Sequence, residues 1–457
     1  MKKHMISFPK STALYRHCLR LCMLTLSAGL LWACENNTAT EEQKSDAEAK
    51  PEFVADEDNG SISLENGFKA YVVADNLGKT RHMAIRDNGD IYIKVREPKN
   101  GGVLALRDTT GDGRADVQEY FGEDVEGSGI AIHENYLYYA SNTTVYRVQL
   151  DDNALTPSGE SEVVIDGFPE QQQHADKTIT FDNSGHIYVN IGAPSNACQE
   201  KMRTPGSPGM DPCPQLEKQA GIWRFDANKL NQSQDDGIRY ATGIRNAVAL
   251  DWNTNVDGLY ALQHGRDQLS SLWPEYFNDS TSAELPSEEF LKVDEGDDFG
   301  WPFCYYDPNQ DLKLLSPEYG GNGEEVGRCE SAKDPIMVFP AHWAPNDLVF
   351  YTGDQFPEEY QGGAFIAFHG SWNRAPLPQR GYNVVFVPMK DGMPSGDYVR
   401  FADEFAGSGG DVESPADAEF RPTGLAIGPD GSLYISDDTK GRIWRVFHEG
   451  ASQLAMR

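Results

Sequence analysis

Apolar and polar positions alternate with period two along most of the chain, and the alternation recurs in one phrase: apolar alternation, a polar turn with Gly or Asn, then a second alternating run, usually containing Tyr. The phrase starts at Met83, Ile130, Ile179, Val248, Leu348 and Leu425. Its turns include Asn88-Gly89, Ser184-Gly185 and Asp430-Gly431. Period-two runs around such dipeptides predict antiparallel hairpins with one face buried. Six units of this kind predict an all-β, six-bladed β-propeller; a sandwich or a solenoid is the alternative. Phe68-Lys-Ala-Tyr-Val-Val-Ala-Asp lies before the first unit and Ile443-Trp-Arg-Val-Phe-His after the last. Strands from the two ends can share a blade, which would remove its free edge.

The N-terminus does not follow this pattern. Lys2, Lys3, Lys10, Arg16 and Arg20 precede an apolar run from Leu21 to Ala33, and no acid occurs before Glu35. The run is short for a membrane span and suits a signal-peptide core. Leu31-Trp-Ala-Cys34 resembles the bacterial lipobox, in which Cys34 would carry lipid; a plain secretory signal is the alternative. Residues 34–60 are then an acidic tether, its residues 35–60 holding nine acids and two lysines. The expected layout is a signal peptide (1–33), the tether (34–60), the propeller (61–449) and a tail (450–457). The expected location is the bacterial cell envelope, periplasmic side or outer membrane, with lipid as the only membrane attachment.

Charge narrows the partners. The formal net charge of the 457 residues is −32, and loss of the five basic residues of the signal takes it to −37. Such a surface repels phosphate backbones, so nucleic acid is excluded as a partner. Four of seven cysteines, Cys198, Cys213, Cys304 and Cys329, remain for an oxidising compartment. They allow three pairings, of which the local one, 198–213 with 304–329, is expected.

The motif scan excludes much. No GxSxG, HExxH, GxGxxG or CxxCH occurs, and Leu77-Gly78-Lys79-Thr80 lacks the first Gly of a phosphate loop, having Val73 instead. One ion motif survives. Asp108, Thr110, Asp112, Asp116 and Glu119 stand at positions 1, 3, 5, 9 and 12 of an EF-hand-like spacing, with Gly113 at position 6. It reads either as a metal loop or as an acidic turn between strands. Polar residues cluster around the repeats in Gln173-His174-Ala-Asp176, Arg245-Asn246, Gln263-His264-Gly265-Arg266-Asp267, Trp301, His369 to Arg374, Arg421 and Asp437-Asp438. A His near neutral pH is a natural general base, and clustered Arg on an acidic chain suits an anionic ligand. His133, His186 and His342 read as ordinary surface or satisfied residues.

At this level the chain resembles the PQQ-dependent sugar dehydrogenases of the soluble glucose dehydrogenase and sorbosone dehydrogenase type, over residues 61–449. The resemblance is carried by His174 ahead of its hairpin, Gly-Ile-Arg245-Asn246-Ala-Val, Gly-Trp301-Pro-Phe-Cys304, His369-Gly-Ser-Trp-Asn-Arg374 and Arg421-Pro-Thr-Gly. It implies a quinone cofactor, PQQ, and Ca2+ at the channel mouth. It implies that His174 is the base and that Arg245 polarises the quinone beside Asn246. Arg374 and Arg421 would bind carboxylates of the cofactor, with His369, Asp437 and Asp438 nearby. Trp301 would flank the sugar, and backbone carbonyls near Gly265 and Arg266 would hold calcium. Electrons would pass to a separate acceptor, a cytochrome or a quinone. The Asp that orients the base in the glucose enzymes is Ala193 here, with Asp176 or Asn196 as substitutes. Two rival readings remain: a calcium-dependent lactonase-like propeller, and an inactive carbohydrate-binding propeller.

Overall fold

The computed structural model describes residues 54–450, apart from Lys99 and Gly410. Six sheets of four or five strands follow one another in sequence, each built on an antiparallel up-and-down set, with Gln232–Ser233 and Asp297–Asp298 each adding a short parallel strand at an edge. The innermost strands are Thr80–Ile85, Ile130–His133, Ile179–Phe181, Ala249–Asn253, Pro345–Phe350 and Pro422–Ile427. These are the first halves of the six repeated phrases. The chain is a six-bladed β-propeller. Ring closure is as the sequence predicts: Phe68–Ala74 pairs antiparallel with Ile443–His448, so the sixth blade takes strands from both ends.

The core lies between blades. Tyr92, Val103 and Ala105 of the first blade, all fully buried, pack on Leu137 and Tyr139 of the second. Full burial of each such side chain contributes about 1.5–3 kcal/mol. Polar cross-ties join neighbouring inner strands. Asp347 accepts from the Leu425 amide at 2.8 Å, and Thr178 donates to the Val248 carbonyl at 2.6 Å. Burial pushes the Asp347 carboxyl well up.

Strand direction assigns the loops to two mouths. Connections from a fourth strand to the next inner strand, and from a second strand to a third, leave at the same mouth. Long segments are inserted there: residues 192–220, 264–287 and 369–382. Both expected disulfides are present. Cys198–Cys213 closes part of the first insertion, and Cys304–Cys329 staples the segment after the fourth blade's third strand.

Two expectations need correction. Asp56 to Gly60, assigned to the tether, are folded onto the propeller. Asp56 accepts from the Val72 amide at 2.8 Å, and the Gly60 carbonyl accepts from the Trp444 indole at 2.9 Å. Buried amide and indole donors need acceptors, and these residues supply them. The EF-hand-like segment joins the third and fourth strands of the first blade, Val103–Arg107 and Val117–Phe121, and so lies at the opposite mouth. Its carboxylates serve the turn: Asp108 accepts from the amides of Thr110, Gly111 and Gly113, and Asp116 from that of Thr109. Glu119 instead accepts from Thr156. Thr110 and Asp112 complete a hairpin turn rather than a cage. Among the described residues no group of three or more His, Cys, Asp or Glu is placed to hold a metal ion. The signal peptide, Cys34, most of the tether and residues 451–457 lie outside the described residues. No helix among those described is long and apolar enough to cross a membrane.

Candidate active site

A cavity of about 390 Å³ opens at the mouth that carries the insertions. His174 and Arg245 line it, together with Gln173, Arg203, His264 and Trp372. His174 sits in the connection into the third blade, at φ 52°, in the left-handed region that few non-glycine residues adopt. The Gln171 side-chain amide holds this turn by donating to the carbonyls of Gln173 and His174, each at 2.8 Å. Gly192 is required behind it, because a Cβ there would stand 2.6 Å from that of His174.

Nδ1 of His174 lies 2.6 Å from the carbonyl oxygen of Ala193. A carbonyl only accepts, so Nδ1 carries the proton and the lone pair is on Nε2. The orienting group missing from the side chain at position 193 is therefore supplied by its backbone. Neither proposed substitute is used: Asp176 pairs with Arg81 at 3.3 Å, and Asn196 serves Arg245. Burial, and then the Arg245 guanidinium, pull His174 down to about 3, so the ring is neutral near pH 7. Near pH 7 the ring is in its proton-accepting form with Nε2 free, and its low pKa makes it a weaker base than an unperturbed imidazole.

Arg245 is held from three sides. It donates to the Gly265 carbonyl at 2.9 Å, to Asn196 Oδ1 at 3.1 Å and to Asp267 Oδ2 at 2.8 Å. Asp267 Oδ2 also accepts from Arg203 at 2.9 Å, and Oδ1 accepts from Asn373 Nδ2 at 2.7 Å. Burial alone would raise the Asp267 carboxyl, but Arg245 and Arg203 outweigh it and hold it below the usual range. Glu288 lies at the same wall and accepts from the amides of Gly265 and Ala344. Burial pushes Glu288 up to about 7.

A second group surrounds the channel axis. His369 donates from Nε2 to Asp438 Oδ1 at 2.7 Å and accepts at Nδ1 from Arg421 Nη2 at 2.8 Å. Arg81 donates to the other Asp438 oxygen at 3.0 Å. The structure thus brings His369, Arg421 and Asp438 together, but as a mutually paired chain.

Other expected residues lie elsewhere. Arg374 is buried and spent on Ala283 O at 2.7 Å, Pro378 O at 3.0 Å and Glu284 at 2.7 Å, so it anchors a loop. Arg266 points away into a buried ion pair with Glu318. The Asp437 carboxylate caps a turn, accepting from the amides of Arg421, Thr439, Lys440 and Gly441. Asn246 is buried against Asn190 behind the pocket wall. Trp301 donates to Asn196 O at 3.0 Å and lines a smaller adjoining cavity. His342, read as ordinary, lines the main pocket with its Nε2 donating to Ser282 O. Arg203 and Glu288 were not singled out in the sequence. Only the position of Arg203 between Cys198 and Cys213 hinted at a fixed loop.

Comparison with known proteins gives the family and the fold. A family model described as TrAA12-like matches residues 62–449. A pyrroloquinoline quinone-dependent sugar dehydrogenase of Hypocrea jecorina is 22% identical over 376 residues, covering 75% of this chain and 82% of the relative. The calcium structure of the Trichoderma reesei family AA12 enzyme superposes with a TM-score of 0.69 at 18% identity, over 88% of this chain and 99% of that one. The holo PQQ domain of Coprinopsis cinerea pyranose dehydrogenase gives 0.68 at 19% identity, over 84% and 97%. At such identities the structural likeness establishes the fold.

Proposed function

The chain belongs to the TrAA12-like family, and from that premise we propose that it is a PQQ-dependent oxidoreductase acting at C1 of an aldose or sorbosone-like sugar. The names of its relatives support the cofactor. The observation that carries the reaction is the His174 ring, neutral and fixed through Nδ1 to the Ala193 carbonyl. Two guanidinium groups, Arg203 and Arg245, line the cavity and would face an anionic cofactor, with the Asp267 carboxylate between them and Glu288, pushed up to about 7 by burial, at the same wall. The cavity volume is within the range of about 300–1,000 Å³ usual for small-molecule pockets.

Arg245 and Arg203 would hold the cofactor, with Asp267 keeping both guanidinium groups in place. His174 Nε2 would take the proton of the sugar's anomeric hydroxyl. Bound PQQ would supply a two-electron acceptor for hydride. Arg245 would lend its buried positive charge to the site; its N–H groups already donate to Asn196, His264, Gly265 and Asp267, so a direct hydrogen bond to the cofactor would replace one of these.

The residues at the expected calcium position do not themselves form an ion cage. Of the expected backbone carbonyls, that of Gly265 accepts from the Arg245 guanidinium at 2.9 Å. No step is derived through calcium; the calcium structure of a family AA12 relative supports including the ion in assays. The acid cluster that a lactonase-like reading needs is not formed among the described residues. Transfer to a separate cytochrome or quinone, and lipid attachment through Cys34, complete the proposal.

His174→Ala tests the assignment. PQQ binding should persist while turnover falls by about 10²–10⁴-fold, the usual contribution of a positioned base. Turnover within threefold of the parent would remove His174 as the base.

A further inference from the structure

The two ends of one insertion bracket His174. Residues 192–220 leave the third blade after its second strand, His186–Ile191, and return to its third, Gly221–Asp226. At the first end the Ala193 carbonyl accepts from His174 Nδ1, and the Ala193 amide donates to the Arg245 carbonyl at 2.7 Å. At the other end stands Gln219, whose Nε2 donates to Gln171 Oε1 at 2.8 Å.

Gln171 connects that end to the base. Its Nε2 lies 2.8 Å from the carbonyls of Gln173 and His174 and 3.0 Å from that of Gly192. Carbonyls only accept, so the group facing all three is the amide nitrogen. Oε1 then faces away, and it is this oxygen that Gln219 holds. The orientation of Gln171 therefore depends on an N–H of Gln219.

What the amide holds is a strained turn. His174 has φ 52°, and an unrestrained L-residue leaves that region for negative φ. The peptide groups on both sides of His174 are tied to one donor, which fixes its backbone. The Gly192–Ala193 peptide is held at its oxygen by Gln171 and at its N–H by Arg245.

We propose that Gln171 and Gln219 are positioning residues for the base: the pair holds the His174 turn so that Nδ1–H stays on the Ala193 carbonyl and Nε2 is left to accept the proton. This rests on the reading of His174 as the base. It adds a side-chain relay, reaching from the far end of the insertion, that places it.

The kinetic test uses the PQQ-loaded protein, an artificial electron acceptor, and the best of D-glucose, D-galactose and D-mannose. Gln171→Ala should lower kcat by about 10²-fold, the scale of a misplaced reacting group, with KM and PQQ affinity within about threefold. Gln219→Ala removes one hydrogen bond and should lower kcat about 3–10-fold. Gln219→Glu keeps the shape but has no N–H to give. Its carboxylate draws Gln171 Nε2 to itself and turns Oε1 onto the three carbonyls, so it should lose more than Gln219→Ala. On Gln171→Ala, Gln219→Ala should cost nothing further. Equal losses in the two Gln219 variants, additive losses in the double variant, or an unchanged kcat in Gln171→Ala would overturn the proposal. The Gln219 variants carry the test should Gln171→Ala fail to fold.

A second readout needs no turnover. In cofactor-free protein carrying isotopically labelled histidine, the nitrogen shifts tell a protonated from a bare ring nitrogen, and the His174 signals are those missing from His174→Ala. The parent should show Nδ1 protonated and Nε2 bare at pH 7. In Gln171→Ala and Gln219→Glu both nitrogens should move towards intermediate values. If His174→Ala keeps the parent's turnover, or the parent oxidises no sugar, the base reading fails and this readout alone decides whether the pair holds the ring. An unchanged tautomer in the folded variants overturns the proposal.

Discussion

Removing the Asp267 carboxylate should unsettle the pocket more than any other single surface of it. Asp267 accepts from Arg245, Arg203 and Asn373 at 2.8, 2.9 and 2.7 Å. The Arg245 and Asp267 side chains are only 4% and 10% exposed, so solvent screens the pair little. Breaking one side of a buried pair costs about 3–5 kcal/mol, because the other charge is left without its partner. Asn196 and the Gly265 carbonyl still hold Arg245 in Asp267→Ala, which favours the lower end. An unfolding entropy of about 2.1 cal/mol/K per residue over roughly 400 folded residues makes 1 kcal/mol worth about 1.2 °C. Asp267→Ala should therefore lower Tm by about 4 °C at pH 7, read by calorimetry or near-UV dichroism. The folded carboxyl is depressed, so its contribution is complete above the unfolded pKa and is lost as pH falls towards the folded value. The Tm gap should be constant from pH 8 to 5 and narrow below about pH 4. A Tm within 1 °C of the parent at pH 7 would refute the reasoning.

Two further perturbations follow from the same charges and loops. Burial lowers His82 to about 4, His174 to about 3 and His264 to about 4, whereas unfolded His titrates near 6.5. Each therefore withdraws stability as pH falls from about 6.5, about 2 kcal/mol apiece by pH 5, so the urea midpoint should drop steeply between pH 7 and 5; a flat profile would contradict this. Replacing Cys198 and Cys213 by Ser opens a loop with a sequence separation of 15, worth about 3 kcal/mol, and frees Arg203. Tm should fall about 3–4 °C and PQQ affinity should weaken; unchanged affinity would mean that Arg203 does not hold the cofactor.

The fold was readable because its determinants are local. A period-two run and a Gly turn fix each hairpin, and six hairpins with compatible ends leave few architectures. Closure followed from the positions of Phe68 and Ile443, and of the three pairings open to the four cysteines the local one expected is the one formed. The site was readable only in part. His174 and Arg245 adjoin the repeats, so placing the blade placed them. Arg374 and Arg266 were equally suggestive as sequence, but the partners that claim them, Ala283 and Glu318, are 91 and 52 positions away. Arg203 reaches the pocket on an insertion, Glu288 from the start of the strand Glu288–Val293, and His342 from the connection into the fifth blade. Ala193 was misleading because a side chain was expected where a carbonyl serves. The acidic spacing from Asp108 to Glu119 would suit an ion in a helix–loop–helix, but a strand hairpin turns those oxygens onto its own amides.

The central claim is that this pocket binds PQQ and reduces it with sugar. The most direct measurement is an absorbance titration of the purified, correctly folded protein with PQQ, with and without calcium, followed by addition of sugar. Saturable binding at micromolar PQQ and a sugar-dependent change to the reduced-quinone spectrum are predicted, the change being lost in His174→Ala. A folded protein that binds no PQQ at that concentration, or whose bound PQQ stays oxidised with every sugar tried, would contradict the account.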